Sequence, residues 1–190
     1  PTRAGLLTGR YQQRFGHENN PAYDPADAVA GLPLTEKLLP QFLQDAGYRT
    51  GWIGKWHLGA TPAHTPWARG FEQTYGFIGG GHSFSAWAID VKKEYNVPLT
   101  RDGKVTAEVP AHLTEAFGKE AAGFVTRNVA APWMLYLAFN DPHTPHMPTA
   151  EREKQFADVK DPTRRKCLAQ ISLLDDAIGE VTRALATSGQ

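Results

Sequence analysis

The stretch Gly47-Tyr48-Arg49-Thr50-Gly51-Trp52-Ile53-Gly54-Lys55-Trp56-His57 decides how the chain is read. Just before it, Leu39, Phe42, Leu43 and Ala46 recur at helical spacing, and Gly47 supplies a C-terminal stop. Pro40 fits a helix only in its first turn, where the missing N–H costs nothing, so the helix starts near Leu38. From Tyr48 to Trp56 the residues favour a strand, which predicts a buried strand ending near Lys55. Helix, tight glycine turn, strand is the rhythm of an α/β sheet. Residues two apart on a strand share a face, so Lys55 and His57 are expected to point into one pocket.

Working outward, the opening segment RAGLLTGRY predicts a short helix with a Gly-Arg exit. Residues 12–33, rich in Asn, Pro, Gly and Asp, read as an irregular loop. Residues 59–110 read mostly as loop, with turns at Gly79-Gly80-Gly81 and at Asp102-Gly103. The second of these predicts a hairpin in RDGKVT. A helix follows over residues 113–129, with Phe117, Ala121, Phe124 and Val125 on one face.

PWMLYLAFN is almost wholly apolar and predicts a central strand buried on both sides. It runs into the Pro-punctuated loop DPHTPHMP. The last segment, from about Pro162 to Ser188, predicts a long amphipathic helix capped by Gly189. Its expected apolar stripe is Leu168, Ile171, Leu174, Ile178, Val181 and Leu185. In α/β sheets, ligands collect beyond the carboxyl ends of the strands. The polar clusters around Lys55 and around His143 both lie at such ends.

The 190 residues suffice for one domain with a sizeable core. Lys plus Arg and Asp plus Glu both number 20, so no basic field recruits nucleic acid or an anionic membrane. Any anion must be caught by a local site. No run approaches the roughly 18 apolar residues of a membrane helix, so no membrane span is expected. Cys167 is the one cysteine, which excludes an internal disulfide. His17 and His112 have no chemical context, and Asp175-Asp176 reads as a surface or packing feature of the long helix.

Three constellations carry chemistry. Pro1-Thr2-Arg3, followed by Leu7-Thr8-Gly9-Arg10, resembles the first sulfatase signature, C-x-P-x-R with a short helix ending in T-G-R. Residues 47–57 meet every fixed position of the second, G-Y-x-T-x-x-x-G-K-x-H. Asn140-Asp141-Pro142-His143-Thr144-Pro145-His146 is similar to the sulfatase element in which an apolar strand ends in P-H-x-P. Pro145 argues against a helical metal-binding pair of His143 and His146. The match spans most of the chain and is similar to bacterial members related to arylsulfatases and N-acetylgalactosamine-6-sulfatases.

The resemblance implies an alkaline-phosphatase-like fold, a mixed sheet sandwiched by helices, with residues 1–190 as the central, incomplete part of the catalytic domain. It implies a formylglycine nucleophile, made from Cys or Ser two residues upstream of Pro1 by a maturation enzyme. Arg3 would orient the hydrated aldehyde and offset its negative charge, as an always-charged planar group can. Lys55 would hold a sulfate oxygen, and His57 would take a proton near neutral pH. His143 would serve both as a substrate contact and as proton donor to the leaving alcohol. His82, in GGGHSF, would face the substrate.

The family's calcium ion takes oxygen ligands, and the resemblance assigns none of these to this chain. The chain alone is therefore expected to lack a metal site and to turn over negligibly. The substrate is expected to be a sulfate ester, of carbohydrate by resemblance, in a periplasmic or secreted protein. The alternatives are a phosphatase or phosphonate hydrolase of the same superfamily, and a catalytically dead homologue that binds sulfated glycans.

Overall fold

Strand β1 (Arg49–Lys55) is the axis of the molecule, and every residue in it after Arg49 is buried. The computed structural model describes residues 1–85 and 93–190. The other strands are β2 (Gln73–Phe77), β3 (Thr100–Arg101), β4 (Lys104–Val105) and β5 (Trp133–Ala138). Among the described residues they form one mixed sheet in the order β4-β3-β2-β1-β5. β1 runs parallel to β2, with Lys55 opposite Phe77, and parallel to β5, with Gly54 opposite Ala138. β3 and β4 close the far side as the expected hairpin, turning at Asp102 (φ 49°) and Gly103 (φ 76°).

Strand alternation feeds two cores. On one face Ile53, Tyr75 and Phe77 pack with Phe117, Ala121 and Phe124 of helix α3 (Leu113–Arg127). On the other, Trp52 packs with Trp56, Phe71, Leu32, Leu38, and Ala4 and Leu7 of helix α1 (Thr2–Thr8). Burying each large apolar side chain contributes about 1.5–3 kcal/mol, so the two cores fix the sheet between helical layers. Helix α2 (Leu39–Asp45) leads into β1, and the short α4 (Ala150–Lys154) precedes the long α5 (Pro162–Ser188). Among the described residues no helix is long and apolar enough to cross a membrane.

The structure corrects several sequence expectations. The 59–110 segment, of which residues 86–92 lie outside the described residues, contains strand β2. Within it Gly76 lies opposite Gly54, and a Cβ there would sit 1.9 Å from the Gly54 carbonyl oxygen. The apolar strand β5 is an edge of the described sheet, and all its residues but Ala138 are only half-buried. In α2, Leu39 and Phe42 are exposed; burial falls instead on Leu38 and Pro40.

The stripe on α5 is rotated too. Ala169, Gln170, Leu173 and Ala177 are buried, whereas Ile171 and Ile178 are exposed. The reason is steric: a Cβ on Gly118 of α3 would sit 2.8 Å from the Ala177 Cβ, so the two helices meet on small residues.

Candidate active site

The carboxyl end of β1 carries Lys55, whose residue is buried, and the chain then leaves the strand at Trp56. His57 has left-handed backbone angles (φ 58°), uncommon for a residue with a Cβ and costing on the order of 1 kcal/mol or more. His57 therefore reaches the pocket through this turn, not through the strand alternation that the sequence suggested.

α1 begins at Thr2 and brings the half-buried Arg3 to the same end of the sheet. The Arg3 guanidinium donates from Nη1 to the Lys55 carbonyl oxygen at 3.2 Å and to the Tyr136 hydroxyl at 2.9 Å. It is thus anchored on both β1 and β5. Pro1, Thr2, Arg3, Asn20, Lys55 and His57 line one cavity of about 260 Å³. Trp52 of β1 supports its floor, donating from Nε1 to the Lys55 carbonyl oxygen at 3.3 Å.

Burial and the neighbouring Lys55 charge depress the His57 pKa from 6.5 to about 4. The Pro21 carbonyl, hydrogen-bonded to the ring, opposes this shift, and the Arg3 charge adds to it. At neutral pH the cavity therefore combines two cationic side chains with a neutral imidazole. Gly80 lies against that ring, since a Cβ there would come within 2.8 Å of His57 Nε2.

His143 follows β5 and is half-buried. Its Nδ1 lies 2.6 Å from the Thr144 carbonyl oxygen, and its ring meets the edge of Tyr95 at a centroid distance of 5.9 Å. Tyr95 in turn touches Gly81, where a Cβ would fall 2.5 Å from the phenol ring. Contacts thus run from His57 through Gly80-Gly81 and Tyr95 to His143. Arg3, Lys55 and His57 share one cavity, and His143 connects to it through this turn.

His82 lies elsewhere. It lines a second cavity with Ser83, Phe84 and Val97, and its ring packs on Phe77 at 5.0 Å. Its Nδ1 and Nε2 face the carbonyl oxygens of Ser83 and Val97 at 2.8 and 2.9 Å. Its own carbonyl oxygen accepts from Asn140 Nδ2 at 3.0 Å, which ties the glycine turn to the end of β5.

Tyr136 and Asn20 were not singled out from the sequence. A tyrosine inside an apolar strand, two residues from its end, was a weak signal; Asn20 gave none.

Calcium would need about six to eight oxygen ligands. The described residues gather no cluster of three or more His, Cys, Asp or Glu side chains able to hold a metal. The cavity offers only Thr2 and Asn20 as neutral side-chain oxygen donors beside two cations, which does not fit calcium. Asp176 is turned outward and pairs with Arg152.

Two cationic side chains and a neutral imidazole in a polar cavity at the carboxyl end of parallel strands suit an anion. The Sulfatase family model matches residues 1–190. N-acetylgalactosamine-6-sulfatase from Mus musculus is 32% identical over 208 residues, covering 100% of this chain and 38% of its own length. An arylsulfatase from Klebsiella aerogenes is 33% identical over 164 residues, covering 82% of this chain and 35% of its own. The crystal structure of Ps i-CgsB in complex with k-i-k-neocarrahexaose matches with a TM-score of 0.89 at 34% identity, over 100% of this chain and 45% of that one. The chain belongs to the sulfatase family, and it spans less than half the length of these relatives.

Proposed function

We propose that the full-length protein hydrolyses sulfate esters of carbohydrates, and that residues 1–190, the central part of its catalytic domain, supply sulfate-binding and proton-transfer groups. The observation that carries this reading is the convergence of Arg3, Lys55 and His57 on one polar cavity. A carbohydrate substrate is supported by a relative named for N-acetylgalactosamine 6-sulfate and by a neighbour solved with a carrageenan oligosaccharide.

The family's formylglycine, made from Cys or Ser by a maturation enzyme, supplies a hydrated aldehyde as nucleophile toward sulfur. Lys55 holds a sulfate oxygen as a compact cation. Arg3 is fixed in advance by Tyr136 and the Lys55 carbonyl, so it meets developing negative charge without reorganising.

His57 is neutral and can accept a proton. An incoming sulfate offsets the Lys55 and Arg3 charges, which raises the His57 pKa toward the range useful to a base. His143, as an imidazolium, gives a proton to the alcohol oxygen as the S–O bond breaks, leaving alcohol and neutral imidazole. His82, which lines the adjoining cavity, would meet parts of the substrate beyond the sulfate only from there, since both its ring nitrogens face backbone carbonyl oxygens. The calcium implied by the family would take its ligands from groups other than this cavity, and a periplasmic or secreted location accords with the family.

The test is to incubate the full-length protein with a sulfated galactan oligosaccharide and follow inorganic sulfate by ion chromatography. Sulfate release that Lys55→Ala lowers by about 100-fold or more agrees with the proposal. Binding of the oligosaccharide without sulfate release would instead identify a catalytically dead glycan-binding protein.

A further inference from the structure

A cluster of buried polar groups beneath residues 141–147 takes part in no step described above. The Thr114 hydroxyl of α3 donates to Asp141 Oδ2 at 2.7 Å. The Gln170 Oε1 of α5 accepts from the Met147 backbone N–H at 3.1 Å, and His112 Nε2 lies 3.1 Å from the Met147 carbonyl oxygen. Thr114 and Gln170 are wholly buried and His112 nearly so. Helices α3 and α5 thus grip both ends of a loop whose middle carries the half-buried His143.

Polar side chains are a costly way to hold a loop if packing is all that is needed, because buried donors and acceptors lose their water. Their return is directional, since hydrogen bonds fix backbone position in a way apolar contacts do not. Here the cost is visible. His112 Nδ1, Gln170 Nε2 and Asp141 Oδ1 are buried without a hydrogen-bond partner. Burial raises the Asp141 pKa, and the Thr114 and Gln170 side chains and His112 oppose that shift only in part.

We infer that Thr114 and Gln170 are positioning residues for His143, acting through Asp141 and Met147 at the two ends of its loop. The inference rests on the reading of His143 as the proton donor to the leaving alcohol. A group that only stabilised the fold would affect all substrates alike. A group that positions the proton donor matters most where the leaving oxygen is most basic.

The experiment compares nitrophenyl sulfate, whose leaving group needs little protonation, with a sugar sulfate, in the full-length protein. His143→Gln sets the benchmark. Thr114→Val keeps the shape of the side chain and removes the hydroxyl, whereas Thr114→Ser keeps the hydroxyl. Thr114→Val is expected to lose about tenfold more kcat on the sugar sulfate than on nitrophenyl sulfate, with KM nearly unchanged. Thr114→Ser is expected to restore most of that loss.

Equal losses on both substrates for Thr114→Val, alongside a selective loss for His143→Gln, would overturn the inference and leave the His143 reading standing. Equal losses for His143→Gln itself would overturn that reading and the inference with it. Should Thr114→Val fail to fold, Gln170→Met, which keeps the chain length and removes the amide, makes the same comparison with the same expected selectivity.

Discussion

Gly54→Ala tests why the site-bearing strand carries a glycine just before Lys55. Gly54 has a φ of 114°, a conformation that residues with a Cβ rarely adopt. A Cβ built there would lie 2.1 Å from the Ala138 carbonyl oxygen and 2.6 Å from its carbon. Ordinary contacts between such atoms begin at about 3.5 Å, so the overlap exceeds about 1 Å and falls on backbone that cannot swing aside.

Relief requires β5 to move away from β1 at the Gly54–Ala138 pair. Backbone strain costs about 1–3 kcal/mol, a weakened ladder hydrogen bond about 1, and overpacking about 1–3. The expected loss is therefore at least about 3 kcal/mol, read by denaturant unfolding of the full-length protein. Gly51→Ala is the comparison. Its Cβ would meet only the Phe124 ring, at 2.4 Å, and a side chain can yield, so the loss should stay within about 1–3 kcal/mol. A Gly54→Ala protein within about 1 kcal/mol of the parent would refute the reasoning.

Tyr136→Phe removes one acceptor from Arg3 and leaves the Lys55 carbonyl. It should lower kcat/KM by about tenfold, roughly 1.4 kcal/mol, with little change in Tm. Unchanged kinetics would remove Tyr136 from the site's support. The depressed His57 pKa sets a pH dependence of stability. Because the unfolded chain takes up that proton at about 6.5 and the folded one only near 4, stability should fall as pH drops through this window and stay level above it. Discounted for the solvent that reaches the ring, the loss is on the order of 1–2 kcal/mol. His57→Asn, which tolerates the left-handed turn, should flatten the slope in urea unfolding measured at pH 7, 6, 5 and 4; an unchanged slope would assign it to other groups.

What could be read from the sequence follows from whether the cause was local. β1 was legible because a tight glycine turn, a strand-favouring run and Gly-Lys sit in one short segment. α3 was legible because its stripe of Phe117, Ala121, Phe124 and Val125 faces the sheet, as helical spacing requires. α5 misled because its partner surface carries Gly118, so the helix rotates its smallest residues into the contact. β2 was hidden because it is only five residues long and its pairing with β1, including the close approach of Gly76 to Gly54, lies across the sheet and in no window along the chain.

The same distinction runs through the site. Lys55 and His57 were paired correctly in space by a spacing argument whose cause proved different, a left-handed turn at His57. Arg3 was legible only through its motif. Its partner Tyr136 was not, being 133 residues away in sequence. His82 looked like a substrate contact in sequence; in the fold its ring nitrogens face two carbonyl oxygens in a neighbouring cavity.

The central claim is that the cavity lined by Arg3, Lys55 and His57 belongs to an enzyme built for sulfate monoesters. The most direct measurement is kcat/KM of the full-length, matured protein for nitrophenyl sulfate and for nitrophenyl phosphate under identical conditions. Sulfate turnover preferred by about 100-fold or more, and lost in Lys55→Ala, is the predicted result. A preference for the phosphate ester, or sulfate turnover indifferent to Lys55, would contradict it.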